Sequence, residues 1–161
     1  MDGGGHERGL RSGTLNVPGI VGFGKACEIC MREMKKDAEK INSLRNRLEG
    51  TLLSVEGASV NGSKQYRLPH VTNMSFKYAE SEALMMTLSK DIAVSSGSAC
   101  MSASLEPSYV LKALGLKDNM ARGSLRFSLG RSTTKEEIDY AIEKITEAVN
   151  QLRQINTHFE Q

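Results

Sequence analysis

Between Val17 and Glu49 apolar residues recur at Ile20, Val21, Cys27, Met31, Met34, Ala38, Ile41, Leu44 and Leu48, with charged residues in the intervals. Steps of three and four residues draw one stripe along a 3.6-residue helix, so the stretch predicts a long amphipathic helix that would break, if anywhere, near Gly22 and Gly24. The period then shortens. "GASVNG" and "VTNMSFKY" read as short strands, with "GSKQYRLPH" as the connection between them. Glu80 to Ser89 reads as a helix with Ala83, Leu84, Met86 and Leu88 available for its buried side, and "IAVSS" as a short strand leading into a serine-rich loop. Pro107 suits the first turn of a helix whose apolar residues are Val110, Leu111 and Leu114, with Gly115 as its left-handed stop. "GSLRFSLG" alternates: Leu125, Phe127 and Leu129 face one way, Ser124, Arg126 and Ser128 the other. The last helix opens with Thr134 and Glu137 at capping-box spacing and continues through Ile138, Ile142, Ile145, Val149 and Leu152. Helices interleaved with short strands, two of them hairpin-paired, predict an α/β layer on a small, largely antiparallel sheet.

Composition changes this picture little. A chain of 161 residues suits one domain with a core, and 39% hydrophobic and 25% charged residues are ordinary for a soluble globular protein. With 21 basic and 19 acidic residues the net charge is +2, which argues for neither nucleic acid nor an anionic membrane as partner. No run approaches a membrane span and the N-terminus has no signal-peptide core, so a cytoplasmic protein is expected. Three unevenly spaced cysteines make no disulfide framework and are read as thiols.

The candidate chemistry lies in three places. In "AVSSGSACMSASLEPSYVLKALG" Cys100 stands among serines and small residues, which gives a thiol no fixed packing; it is either a travelling nucleophile or a plain surface cysteine. Arg126 offers a fork that suits a carboxylate, against the alternative of an exposed strand arginine. "GGGHERGLRSGT", with Thr14 adding a hydroxyl and His6 within it, can form an anion-binding nest or be a flexible terminus; it matches neither the Walker loop nor the dinucleotide fingerprint. Cys27 and Cys30 form a CxxC inside the long helix, on or beside its apolar stripe, where core packing is favoured over metal or redox work. His6, His70 and His158 are isolated from one another, and no intrinsic metal site is expected.

"GGGHERGLRSGT", "VSSGSACMSASLEPSYVLKALGL" and "GSLRFSLGRSTTKEEID" together resemble consecutive motifs from the C-terminal part of pyridoxal-phosphate-dependent cysteine desulfurases, the NifS/IscS-like group of class V aminotransferases, over essentially the whole chain. The resemblance implies the small domain of a fold-type-I enzyme: a short, mostly antiparallel sheet with flanking helices and one long N-terminal helix. It implies residues 1–24 as a glycine-rich segment belonging to a large domain and dimer interface, and residues 25–161 as the small domain with the cysteine loop. It assigns Cys100 as the residue that attacks the sulfur of L-cysteine, leaving alanine and an enzyme persulfide, and as a transient iron–sulfur ligand. Arg126 matches the arginine that pairs with the substrate carboxylate. Thr14 matches the threonine that donates to the cofactor phosphate across a homodimer interface. Iron–sulfur scaffold or sulfur-relay proteins are the implied acceptors, and the long serine-rich loop resembles that of the long-loop group.

The departure is equally specific. The family's Schiff-base lysine follows a histidine in a Ser-x-His-Lys stretch, and no histidine here is followed by lysine. Electron-sink chemistry needs a held cofactor and that lysine. The chain is therefore expected to be part of a longer or split enzyme, inactive by itself without the large domain. A non-enzymatic persulfide carrier and a dimerisation remnant are the alternatives.

Overall fold

The structure, a computed structural model, describes residues 3–96 and 107–157. Cys100 and His158 lie outside the described residues. Backbone contacts divide the chain into two compact units, Met1–Lys36 and Asp37–Gln161.

The first unit holds a single 3₁₀ turn (Glu7–Gly9) and the opening turns of helix α1 (Val17–Leu52). Asn16 caps α1, its Oδ1 accepting from the Gly19 N–H at 3.1 Å, and Pro18 sits in the first turn, where a missing N–H costs nothing. The helix runs unbroken through Gly22 and Gly24. The apolar stripe of these turns is uncovered among the described residues. Ile20, Val21, Phe23, Met31 and Met34 are all exposed, Met31 at 87%. Cys27 and Cys30, expected to pack in a core, are exposed too. A stripe shows which side of a helix is apolar, not whether anything covers it, and none of the described residues of this unit does.

The second unit is built on the rest of α1, strands β1 (Ala58–Val60) and β2 (Val71–Phe76), helix α2 (Ser81–Leu88), strand β3 (Ser95–Ser96), short helices α3 (Tyr109–Ala113) and α4 (Asp118–Arg122), strand β4 (Ser124–Ser128) and helix α5 (Lys135–Thr157). The strands form one antiparallel sheet in the order β1-β2-β4-β3. Met74 and Phe76 of β2 and Leu125, Phe127 and Leu129 at β4 join Ile41, Leu44, Leu48 and Leu52 of α1, Leu84 and Leu88 of α2, and Ile138, Ile145 and Val149 of α5 in one core. The predicted elements are present as an α/β layer on a small antiparallel sheet.

Local chemistry explains the ends. Thr134 and Glu137 close a reciprocal capping box on α5: the Thr134 N–H donates to Glu137 Oε2 at 2.9 Å and the Glu137 N–H to Thr134 Oγ1 at 3.2 Å. Gly115, at φ +86°, ends α3 as expected, with its N–H bonded to Lys112 O and the Leu116 N–H to Leu111 O, the paired bonds of a Schellman stop. Pro107 lies two residues before α3, ahead of the cap residue Ser108, so it is not in the first turn. Of the apolar residues expected to pack from α3 only Leu111 is buried, since a helix of five residues turns one such position inward. In α2, Met86 points outward at 78% exposure, while its neighbour Met85 packs against the core.

Candidate functional site

The sheet of the second unit has a core face and a polar face, and the polar face carries a row that crosses β3, β4 and β2 and ends at the residue after β1. Register places Asn73 of β2 opposite Arg126 of β4, and Arg126 opposite Ser95 of β3. One residue past β1, the Asn61 N–H donates to Asn73 O at 2.8 Å and continues the ladder. Asn61, Asn73, Arg126 and Ser95 therefore lie side by side, because directly opposed residues share a face. The Ser95 hydroxyl accepts from Arg126 Nη2 at 3.4 Å, and Asn61 Nδ2 donates to Asn73 Oδ1 at 2.6 Å.

Beneath the Asn61 end sits a hydroxyl cluster. With one Asn61 Nδ2 proton on Asn73 Oδ1, the other is shared between Ser75 Oγ (2.8 Å) and Ser124 Oγ (3.2 Å), the two serines meet at 2.7 Å, and Ser124 Oγ donates to Met120 O at 2.9 Å. Ser75 and Ser124 are fully buried. Four polar groups satisfy one another here, so the cluster fixes Asn61 rather than merely tolerating it.

Arg126 is exposed and has no carboxylate partner among the described residues. β3, its neighbour, leads directly into residues 97–106, the stretch that contains Cys100. The structure thus brings Arg126 beside the strand from which the cysteine segment departs.

Thr14 lies in the first unit. Its glycine-rich segment is a knotted turn with positive φ at Glu7, Arg8, Gly9 and Gly13. Ser12, nearly buried, donates from Oγ to Gly4 O at 2.6 Å, and a side chain on Gly3 would strike Ser12 Cβ at 2.9 Å. Arg11 Nη1 donates to the carbonyls of Gly13 (3.2 Å) and Thr14 (2.7 Å), which occupies that group within the turn. Thr14 is exposed, and its hydroxyl and N–H have no partner among the described residues. That pair of donors fits a phosphate oxygen. The chain's residues fit the phosphate end of pyridoxal phosphate and hold no His-Lys stretch for its aldehyde. His6 is exposed beside Gly4 and makes no capping bond.

Two further features went unread in the sequence. Arg45 and Glu49 are two of the charges between the apolar positions of α1, yet each is only 5% exposed. Arg67 forks onto Glu49, with Nη2 to Oε2 at 2.9 Å and Nη1 to Oε1, while Arg45 Nη1 donates to Leu68 O (2.9 Å) and Pro69 O (3.2 Å). Burial pushes the Glu49 carboxyl up, but the Arg67 hydrogen bond and the charges of Arg67 and Arg45 outweigh it and hold the group below its ordinary value. The guanidinium of Arg45 is lowered, first by burial and then by the like charge of Arg67. A cavity of about 500 Å³ lies on the core side, lined by Ile92, Val94, Phe127, Leu129, Ile138 and Ala141 among others, and none of the polar row opens into it. Among the described residues no cluster of His, Cys, Asp and Glu is arranged for a metal, and no helix is long and apolar enough to cross a membrane.

The family model described as aminotransferase class-V matches residues 4–141. Cysteine desulfurase IscS of Anaeromyxobacter sp. (strain Fw109-5) is 55% identical over 161 residues, spanning 99% of this chain and 40% of that protein. Cysteine desulfurase IscS of Proteus mirabilis (strain HI4320) is 56% identical over 160 residues, spanning 99% and 39%. The X-ray structure of a NifS-like protein from Rickettsia africae ESF-5 superposes with a TM-score of 0.79 at 30% identity, covering 93% of this chain and 39% of that one. The chain spans about 40% of the length of the curated relatives it matches.

Proposed function

Because the chain belongs to the class-V aminotransferase family, we propose that it is the C-terminal portion of a pyridoxal-phosphate-dependent cysteine desulfurase. The observation that carries the reading is Arg126: an exposed guanidinium with no acid partner among the described residues, beside the strand that leads to Cys100. Such a fork suits the two oxygens of an amino-acid carboxylate. Holding the substrate there leaves its thiol end for a nucleophile from the adjoining segment.

Pyridoxal phosphate, when bound, supplies the electron sink for bonds at the substrate's α-carbon. Thr14 would hold the phosphate of that group through the hydroxyl and N–H of the glycine-rich turn, across the interface of a homodimer. The Cys100 thiolate attacks the sulfur of L-cysteine; a new S–S bond forms, the C–S bond breaks, and the carbon takes a proton. L-cysteine and an enzyme thiol become L-alanine and an enzyme persulfide, with no oxidant required. The persulfide passes its outer sulfur to an iron–sulfur scaffold or sulfur-relay acceptor in the cytoplasm, and Cys100 serves there as a transient cluster ligand. Residues 1–24 belong with the large domain, residues 25–161 are the small domain, and turnover requires the portion that brings the lysine.

The test is alanine formation from L-cysteine with pyridoxal phosphate and a thiol reductant, for the chain alone and mixed with the large-domain portion that relatives carry. Alanine from the mixture, lost in Cys100→Ser, is expected. Alanine from the chain alone above the free-cofactor level would overturn the requirement for the missing lysine. No gain on mixing would sink the half-enzyme reading.

A further inference from the structure

We infer that Asn73 is a second hydrogen-bond donor to the carboxylate at Arg126, with Asn61 as the residue that positions it; this rests on the reading of Arg126 given above. The register makes Asn73 the direct cross-strand neighbour of Arg126, on the same face and within about 5.5 Å at Cβ. Distance alone would not decide the role, because an asparagine can present either end of its amide.

Asn61 decides it. Its Nδ2 donates to Asn73 Oδ1 at 2.6 Å, which commits the oxygen and leaves the Asn73 NH₂ as the end without a partner among the described residues. Asn61 cannot readily turn away, because its own amide is tied to Ser75 and Ser124, both fully buried, and Ser124 is anchored to Met120 O. Asn73 is half-buried, so its spare donor is partly withdrawn from water. A half-buried donor without a partner has most to gain from an acceptor that arrives.

The row contains no acid: an amide pair, a guanidinium and a hydroxyl. A carboxylate has about four lone-pair positions, and a guanidinium fork occupies two of them. The Asn73 NH₂ can occupy a third. An ester or amide, with no negative charge and fewer acceptors, would gain much less. The Asn61–Asn73–Arg126–Ser95 row therefore sets a preference for a free carboxylate.

The experiment uses the full 161-residue chain and acetate as the carboxylate probe, with chloride at equal ionic strength as the control. Side-chain NMR follows the Asn73 NH₂ and the Arg126 Nε–H. The expected result is that both signals move with acetate along one saturating curve and stay still with chloride. Asn73→Leu should weaken acetate binding at Arg126 about five- to tenfold. Movement of Arg126 alone, with unchanged affinity in Asn73→Leu, would overturn the role of Asn73 while leaving Arg126 as the carboxylate site. If neither signal moves, the row is not a carboxylate site and the reading of Arg126 falls with it. The unsubstituted chain answers directly, so the outcome does not depend on a variant that folds.

Discussion

Replacing Glu49 by alanine tests whether the buried charges of α1 hold the connection between β1 and β2 in place. Glu49 is 5% exposed and takes the fork of Arg67, which sits near the end of that connection, while Arg45 holds the carbonyls of the next two residues, Leu68 and Pro69. Removing the carboxylate strands two guanidinium groups without their counter-charge. Breaking one side of a buried pair costs about 3–5 kcal/mol, because the remaining charge has already given up its water. A chain of this size loses about 3 °C of melting temperature per kcal/mol, so a drop of about 9–15 °C is expected. The assay is thermal melting and urea unfolding followed by far-UV circular dichroism, with hydrogen exchange at residues 61–70 as the local readout. A pH series gives the sign. The folded-state carboxyl is held below its ordinary value, so its contribution is complete above about pH 4.3 and disappears as pH falls through the folded value. The unsubstituted chain should therefore lose stability on acidification through that window, and Glu49→Ala should lack this component. A loss under about 1 kcal/mol, or an acid limb unchanged by the substitution, would refute the reasoning and mean that the pair is solvated.

Two other outcomes follow from the fold and the site. In Gly123→Ala the new Cβ would collide with Phe76 O and stand 2.9 Å from Ala79 O, both main-chain atoms that cannot swing aside, so a loss of about 1–3 kcal/mol is expected in thermal melts; an unchanged melting temperature would show that the backbone there yields. In the assembled enzyme Arg126→Ala should weaken use of L-cysteine by about 1.5–3 kcal/mol, roughly 10- to 150-fold in kcat/KM, and unchanged kinetics would reduce Arg126 to a strand arginine.

The parts of this fold legible in the sequence are those decided within a few residues. The capping box at Thr134 and Glu137, the left-handed stop at Gly115 and the alternation of β4 are local agreements between side chain and backbone, and each is present. What escaped depends on partners distant in the chain. Met31, Met34 and the two cysteines of α1 lie on a stripe that no part of their own unit covers. Arg45 and Glu49 read as solvent-side charges because their counter-groups come from the β1–β2 connection. Asn73 and Ser75 had a signal in the alternation of "VTNMSF", but their meeting with Arg126 and Ser124 needs the strand order, which no local pattern carries. Cys100 and Thr14 were singled out by motif, and Arg126 by motif and strand alternation together.

The strand order also governs the sequence of events during synthesis. β4 occupies a central place in the sheet yet is the last made of the four described strands, about fifty residues after β2 ends. At about 5–20 residues per second the ribosome needs roughly 3–10 s to supply it. Through that interval β2 has a neighbour on one side alone, β3 has none, and Met74 and Phe76 wait for Leu125 and Phe127. An unpaired, apolar strand edge is what chaperones bind and what nascent chains aggregate through. The centre of this sheet is thus its most vulnerable point before release and its best-protected one afterwards.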